Sequence, residues 1–153
     1  MRTTYRVLAY LIALEVVVQA AAIAYALFGL STWIQGGGVL DQATMQSETT
    51  YFPGVLGFAV HGINGQIVVP ALGLLLLIVS FFARVPQGVA WAGAAFGAIV
   101  VQVLLGMFAH AIPQLGMLHG AVALVLFGVA FMAARKATVP RTVAGRMNER
   151  VTA

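Results

Sequence analysis

Four stretches of the chain are continuously apolar, and the polar residues gather between them. The stretches run over about 5–30, 55–82, 88–109 and 116–134. Each reaches or approaches the ~20 residues that carry a helix across ~30 Å of hydrocarbon. Apolar and polar positions do not alternate as they do in barrel strands. The pattern predicts an all-α fold, a four-helix transmembrane bundle over residues 1–136, followed by a polar, basic tail at 137–153. The first stretch opens with MRTTYR and contains AAAIAYA, which resembles a cleavage site. Its apolar run exceeds the ~7–15 residues of a signal-peptide core, so it reads as a retained helix.

Composition agrees. The chain has 153 residues, of which 61% are hydrophobic and 8% charged, with a mean hydropathy of +0.99. A soluble domain carries roughly a quarter charged residues, so a separate soluble domain is excluded. There is no cysteine. That removes disulfides, thiolate metal sites and cysteine nucleophiles.

The placement of charge changes the picture more than its total of +4. Arg2 and Arg6 precede the first segment, and Arg84 sits between the second and third. Arg135, Lys136, Arg141, Arg146 and Arg150 follow the fourth. The links at 31–54 and 110–115 hold no Lys or Arg, and the longer one holds Asp41 and Glu48. By the positive-inside rule both termini are cytoplasmic, in a multi-pass protein of the plasma (inner) membrane. The tail suits disorder or anionic headgroups. Basic residues confined to segment ends do not suit nucleic acid. Trp33, Tyr51 and Phe52 are expected interfacial anchors, and Gly93 and Gly97 offer a small-residue face for a homodimer.

Few polar residues fall inside the spans. Glu15 and Gln19 are one turn apart in the first, Asn64 and Gln66 lie in the second, and Gln102 in the third. A Glu15–Gln102 hydrogen bond between helices is the favoured expectation, ahead of a proton relay or quinone-binding role for Glu15. Asn64 is placed either to fix a histidine tautomer or to bond a carbonyl. Pro70 is expected to kink the second helix.

The histidines form the candidate site. His61 lies early in the second segment, His110 ends the third, and His119 opens the fourth. The short links bring all three to one layer. LGFAVHG and LGMLHG surround His61 and His119 with similar residues. Gly57, Gly62 and Gly65 flank the first, and Gly116 and Gly120 the second. Small residues beside a helical ligand let a flat macrocycle approach the backbone, so a porphyrin between helices 2 and 4 is expected, with His61 and His119 as axial iron ligands. The blander reading is interfacial histidines and glycines that only pack helices. His110 is held in reserve as a third ligand of a zinc or copper site, a propionate donor or an interfacial residue.

HGINGQIVVPALGLLLLIVSFFAR and MLHGAVALVLFGVAFMAARK resemble helices 2 and 4 of a family of small actinobacterial four-helix membrane proteins of unknown function. The layout also resembles one half of haem A synthase. The resemblance implies a b-type haem on His61 and His119 near the outer face. Haem A synthase has two bundles and outer-loop cysteine and acidic residues, so its activity does not carry over. The expected function is a membrane cytochrome b in electron transfer or haem handling, partnered by the lipid bilayer and by quinone or a respiratory-complex subunit. The alternatives are a cofactor-free accessory subunit of such a complex and a chlorophyll-type pigment protein. No nucleophile–base pair or phosphate loop points to an enzyme, and no broken-helix repeat points to a transporter.

Overall fold

The computed structural model describes residues 1–47 and 52–138. It has helices α1 (Arg2–Gln35), α2 (Gln42–Gln46), α3 (Leu56–Ile63), α4 (Val69–Ala83), α5 (Gly88–Phe108) and α6 (Leu115–Lys136). A π-helical turn, Asn64–Val68, joins α3 to α4, so Leu56–Ala83 is one span. With α1, α5 and α6 it makes four helices long and apolar enough to cross a membrane. Only 22% to 28% of the apolar window of each is buried. The rest, including Phe28, Leu124 and Met117, faces outward and needs lipid around it. Glu48, Tyr51, Pro140, Arg141, Arg146 and Arg150 lie outside the described residues, as does the tail beyond Thr138.

The first helix is longer than its apolar run at both ends. Past the hydrocarbon length its last turns are polar, with Gln35 Nε2 donating to Ser31 Oγ at 3.1 Å. It ends where Gly36, Gly37 and Gly38 bond back to its last carbonyls. Trp33 stacks on Phe52 with ring centroids 5.8 Å apart, and Phe52 meets Phe58 edge-on at 6.4 Å. Phe52 is therefore buried against protein, where an interfacial anchor was expected.

The spans pack in a square. The first touches the second and fourth, and the third touches the same two. The second span (α3–α4) and the fourth (α6) are thus diagonal across the bundle axis. The hydrophobic core fills one half of this square. It comprises Tyr5, Ala9, Ile12 and Ala13 with Val69, Leu76, Ala92, Ala95, Ile99, Leu126, Ala130 and Ala133. Half of these residues are alanines, which let the backbones approach closely, the usual packing device in lipid. Tyr5 Oη donates to the Gly88 carbonyl at 3.0 Å, and Arg2 Nη2 to the Arg84 carbonyl at 3.4 Å. These bonds tie the start of α1 to the hairpin between α4 and α5. Arg2, Arg6, Arg84, Arg135 and Lys136 therefore share one end of the bundle. Gly93 and Gly97 are exposed, with nothing near them inside the bundle.

In the other half α3 packs chiefly on α1 and makes no comparable contact with α5 or α6. The tight core stops at the level of Ala13, Val69, Ile99 and Leu126. Directly beyond it along each helix come Glu15, Gln19, Asn64 and Gln102, and then His61 and His119.

Candidate functional site

His61 projects from the last turn of α3 and His119 from the first turns of α6. Diagonal placement points both at the bundle axis, where their rings lie 6.0 Å apart between centroids, inclined at 60°. Each is half-buried.

Both rings are held in the same way. His61 Nδ1 is 3.1 Å from the backbone carbonyl of Gln19, on the preceding span. His119 Nδ1 is 3.0 Å from the backbone carbonyl of Gln102, again on the preceding span. A carbonyl only accepts, so each Nδ1 carries the proton and donates. In the neutral ring that leaves Nε2 bare, with its lone pair free.

The glutamines reciprocate. Gln102 Nε2 donates to the His119 carbonyl at 2.9 Å. Gln19 does the same to the His61 carbonyl at 2.9 Å when its amide nitrogen faces that carbonyl. That orientation also lets its oxygen accept from Gly65 N at 2.9 Å and from Asn64 Nδ2 at 3.1 Å, and it is the one that satisfies both ends of the amide. The same nitrogen lies 2.9 Å from His61 Nδ1. This is a contact and not a second hydrogen bond, because Nδ1 already bears the proton. Each hairpin thus carries one two-way latch, Gln19–His61 or Gln102–His119.

No protein-family model, curated protein or solved structure matches this chain.

The Gln19 latch has a visible backbone consequence. His61 O and Gly65 N are an i, i+4 pair, which an undistorted α-helix would join directly. The Gln19 amide stands between them, accepting from one and donating to the other. A side chain inserted into the ladder is a recognised cause of helix distortion, and here the π turn Asn64–Val68 begins. Pro70 follows it and has no N–H to give. The distortion expected around Pro70 therefore sits on its His61 side. No such bulge occurs in α6, and Gln102 Oε1 is left buried without a protein donor.

Other expected roles are redistributed. Glu15 does not pair with Gln102; its carboxylate accepts from Asn64 Nδ2 in a very short bond. Asn64 accordingly serves Glu15 and Gln19 and does not touch a histidine nitrogen. His110 is exposed, and its Nδ1 lies 3.1 Å from Gly106 O and 3.2 Å from Met107 O, capping its own helix. Among the described residues no three His, Cys, Asp or Glu side chains converge on a metal position, so a three-histidine site does not form.

The glycines divide. A Cβ on Gly57 would stand 2.3 Å from the Ala22 carbonyl, so its clearance serves the approach of α3 to α1. Gly65 faces the Gln19 amide. Gly62, Gly116 and Gly120 border open space. The glycine against the site is Gly106, outside the runs that flank the two histidines. A Cβ on Gly106 would meet His119 Cε1 at 3.1 Å and Nδ1 at 3.2 Å. Its sequence signal is position, one turn past Gln102 and so on the same face.

Proposed function

We propose that this protein is an integral membrane haem-binding protein in which His61 and His119 hold the iron of one b-type haem, serving electron transfer or haem handling. The observation that carries the reading is the pair of latched rings. Metal–imidazole bonds of about 2.0–2.1 Å put two rings sharing one metal about 6 Å apart between centroids, and these are 6.0 Å apart. Both Nδ1 protons are spent on backbone carbonyls, which orients each Nε2 lone pair and raises its basicity, as the partners of metal-bound histidines do. Held by His61 and His119, a haem would supply one-electron transfer at this site.

The chain's own residues do the rest. The Gln19 and Gln102 latches fix tautomer and ring angle from the neighbouring helices. The alanine-packed half below holds the diagonal at a set width. Five described basic residues at the opposite end support a cytoplasmic placement of that end, with the histidines toward the outer leaflet of the inner membrane. Quinone or a respiratory-complex subunit is the proposed redox partner.

The test is spectroscopic. Protein purified in detergent after growth with haem supply should show a b-type Soret and α-band in its reduced-minus-oxidised spectrum, lost in His61→Ala and in His119→Ala. A colourless protein, or full haem retention in the double variant, would overturn the assignment. A red chlorin band in its place would assign the same histidines to a magnesium pigment.

A further inference from the structure

Among the described residues, the end of the bundle away from the histidines carries positive charge with no carboxylate near it. Arg2, Arg6, Arg84, Arg135 and Lys136 cluster there. The described residues include two carboxylates, Glu15 and Asp41. Glu15 is thirteen positions further along α1 than Arg2, about 20 Å at the helical rise. Asp41 lies past the far end of the same helix.

Within this cluster is a cavity of about 550 Å³ lined by Arg2, Arg84, Val85 and Pro86. Arg2 gives Nη2 to the Arg84 carbonyl, while its Nε is buried and has no partner among the described residues. A guanidinium with a desolvated, unpaired N–H is costly unless an acceptor joins it. Arg84 is held in the left-handed region at φ 52° as the cap of α4, so the turn presents its side chain from a fixed backbone. Two guanidinium forks on one cavity match the oxygens of a phosphate. Val85 and Pro86 make the remaining wall apolar, and the cavity lies where the apolar spans give way to basic residues, the depth of lipid headgroups.

We propose that this cavity binds the phosphodiester headgroup of an anionic phospholipid. A free phosphate shares the oxygen chemistry but gains nothing from the apolar wall or the adjoining lipid-facing helices. Basic pockets between membrane helices are a known mode of headgroup recognition. The site is independent of the haem reading.

The experiment is a lipid titration of the full-length chain in zwitterionic detergent, read by native mass spectrometry, with phosphatidylglycerol and phosphatidylcholine as probes. One phosphatidylglycerol should be retained in preference to phosphatidylcholine by about ten-fold. The pair Arg2→Gln, Arg84→Asn should remove that preference, asparagine being tolerant of the left-handed backbone. The pair Arg135→Gln, Lys136→Gln, at the same end but off the cavity, should weaken binding by less than about three-fold. Equal losses in both pairs, or no headgroup preference in the unaltered chain, would overturn the proposal. So would inorganic phosphate binding as tightly as the lipid. If the first pair does not accumulate, Arg84→Asn alone should still cost several-fold.

Discussion

Adding one methyl group at Gly106 separates the site from the bundle that carries it. Alanine is the better helix former by about 0.8–1.0 kcal/mol, so propensity alone predicts that Gly106→Ala is neutral or stabilising. The geometry at His119 predicts the opposite for the site. The new Cβ would lie 3.1 Å from Cε1 and 3.2 Å from Nδ1, inside ordinary van der Waals separation of ~3.5–4.0 Å. The ring must give way by a few tenths of an ångström. Its Nδ1 bond to the Gln102 carbonyl is 3.0 Å, and the same displacement takes it to the edge of hydrogen bonding. Loss of that bond costs about 0.5–1.5 kcal/mol, and losing the outer partner of a metal ligand typically weakens metal binding about 10–100-fold. On the proposed haem assignment, Gly106→Ala should therefore keep the melting temperature of the haem-free protein while haem affinity falls about ten-fold, measured by titrating haem and following the Soret band. Gly93→Ala, exposed and without neighbours, is the control: it should leave haem affinity unchanged and hold or raise the melting temperature. Unchanged haem affinity in Gly106→Ala would refute the argument that His119 is held by its latch.

Three other outcomes follow from single contacts. Gln19→Leu removes the amide that bridges His61 O and Gly65 N; stability should fall by about 1–3 kcal/mol for the buried groups left unpaired, seen as a lower melting temperature together with a shifted α-band. Gly29→Ala places a Cβ 1.8 Å from the Pro53 carbonyl oxygen, and backbone cannot yield cheaply, so the segment at Pro53 and Gly54 should lift from α1 at a cost of about 1–3 kcal/mol and become faster to cut by added protease. The Asp41 carboxyl is held below its usual range, chiefly by the bond from the Thr44 N–H to its Oδ1 at 2.7 Å. Its folded pKa is lowered, so the ordering of α2 is present above the ordinary carboxylate pKa and lost as pH falls through the folded value; amide exchange at Thr44, corrected for intrinsic rate, should accelerate in that acidic window and not between pH 6 and 8.

What could be read in advance is what depends on distance along the chain. Span length is one-dimensional, so four helices and their hairpins were legible from apolar run lengths. Equal counts from the 84–87 turn put His61 and the end of the third span at one depth, which is why the His61–His119 layer was legible too. Rotation about a helix axis is not written so plainly. Glu15 was expected to reach Gln102 because both lie near mid-membrane, yet α1 turns it toward Asn64. Glycine spacing around His61 suggested clearance for a ring, but Gly57 is occupied by the Ala22 carbonyl. The π turn had a faint signature in Gly62, Asn64, Gly65 and Pro70, four weak helix formers in nine positions. Its cause, the Gln19 amide, belongs to another helix and is invisible to any local reading.

The two latches also explain why the polar layer lies where it does. Each hairpin, α1 with α3–α4 and α5 with α6, contributes one glutamine and one histidine, and each histidine bonds the helix before it. Neither histidine depends on the other for its orientation, so the facing arrangement is built from two separately satisfied halves and costs no unpaired ring nitrogen at Nδ1. The halves differ in one respect. Gln19 opens the backbone of its partner helix and thereby satisfies its own oxygen with Gly65 N and Asn64 Nδ2, whereas Gln102 meets an intact helix and keeps a buried, unpartnered Oε1. In a low-dielectric layer an orphan acceptor is the more costly state. The second hairpin is therefore the half with an unmet demand for a donor.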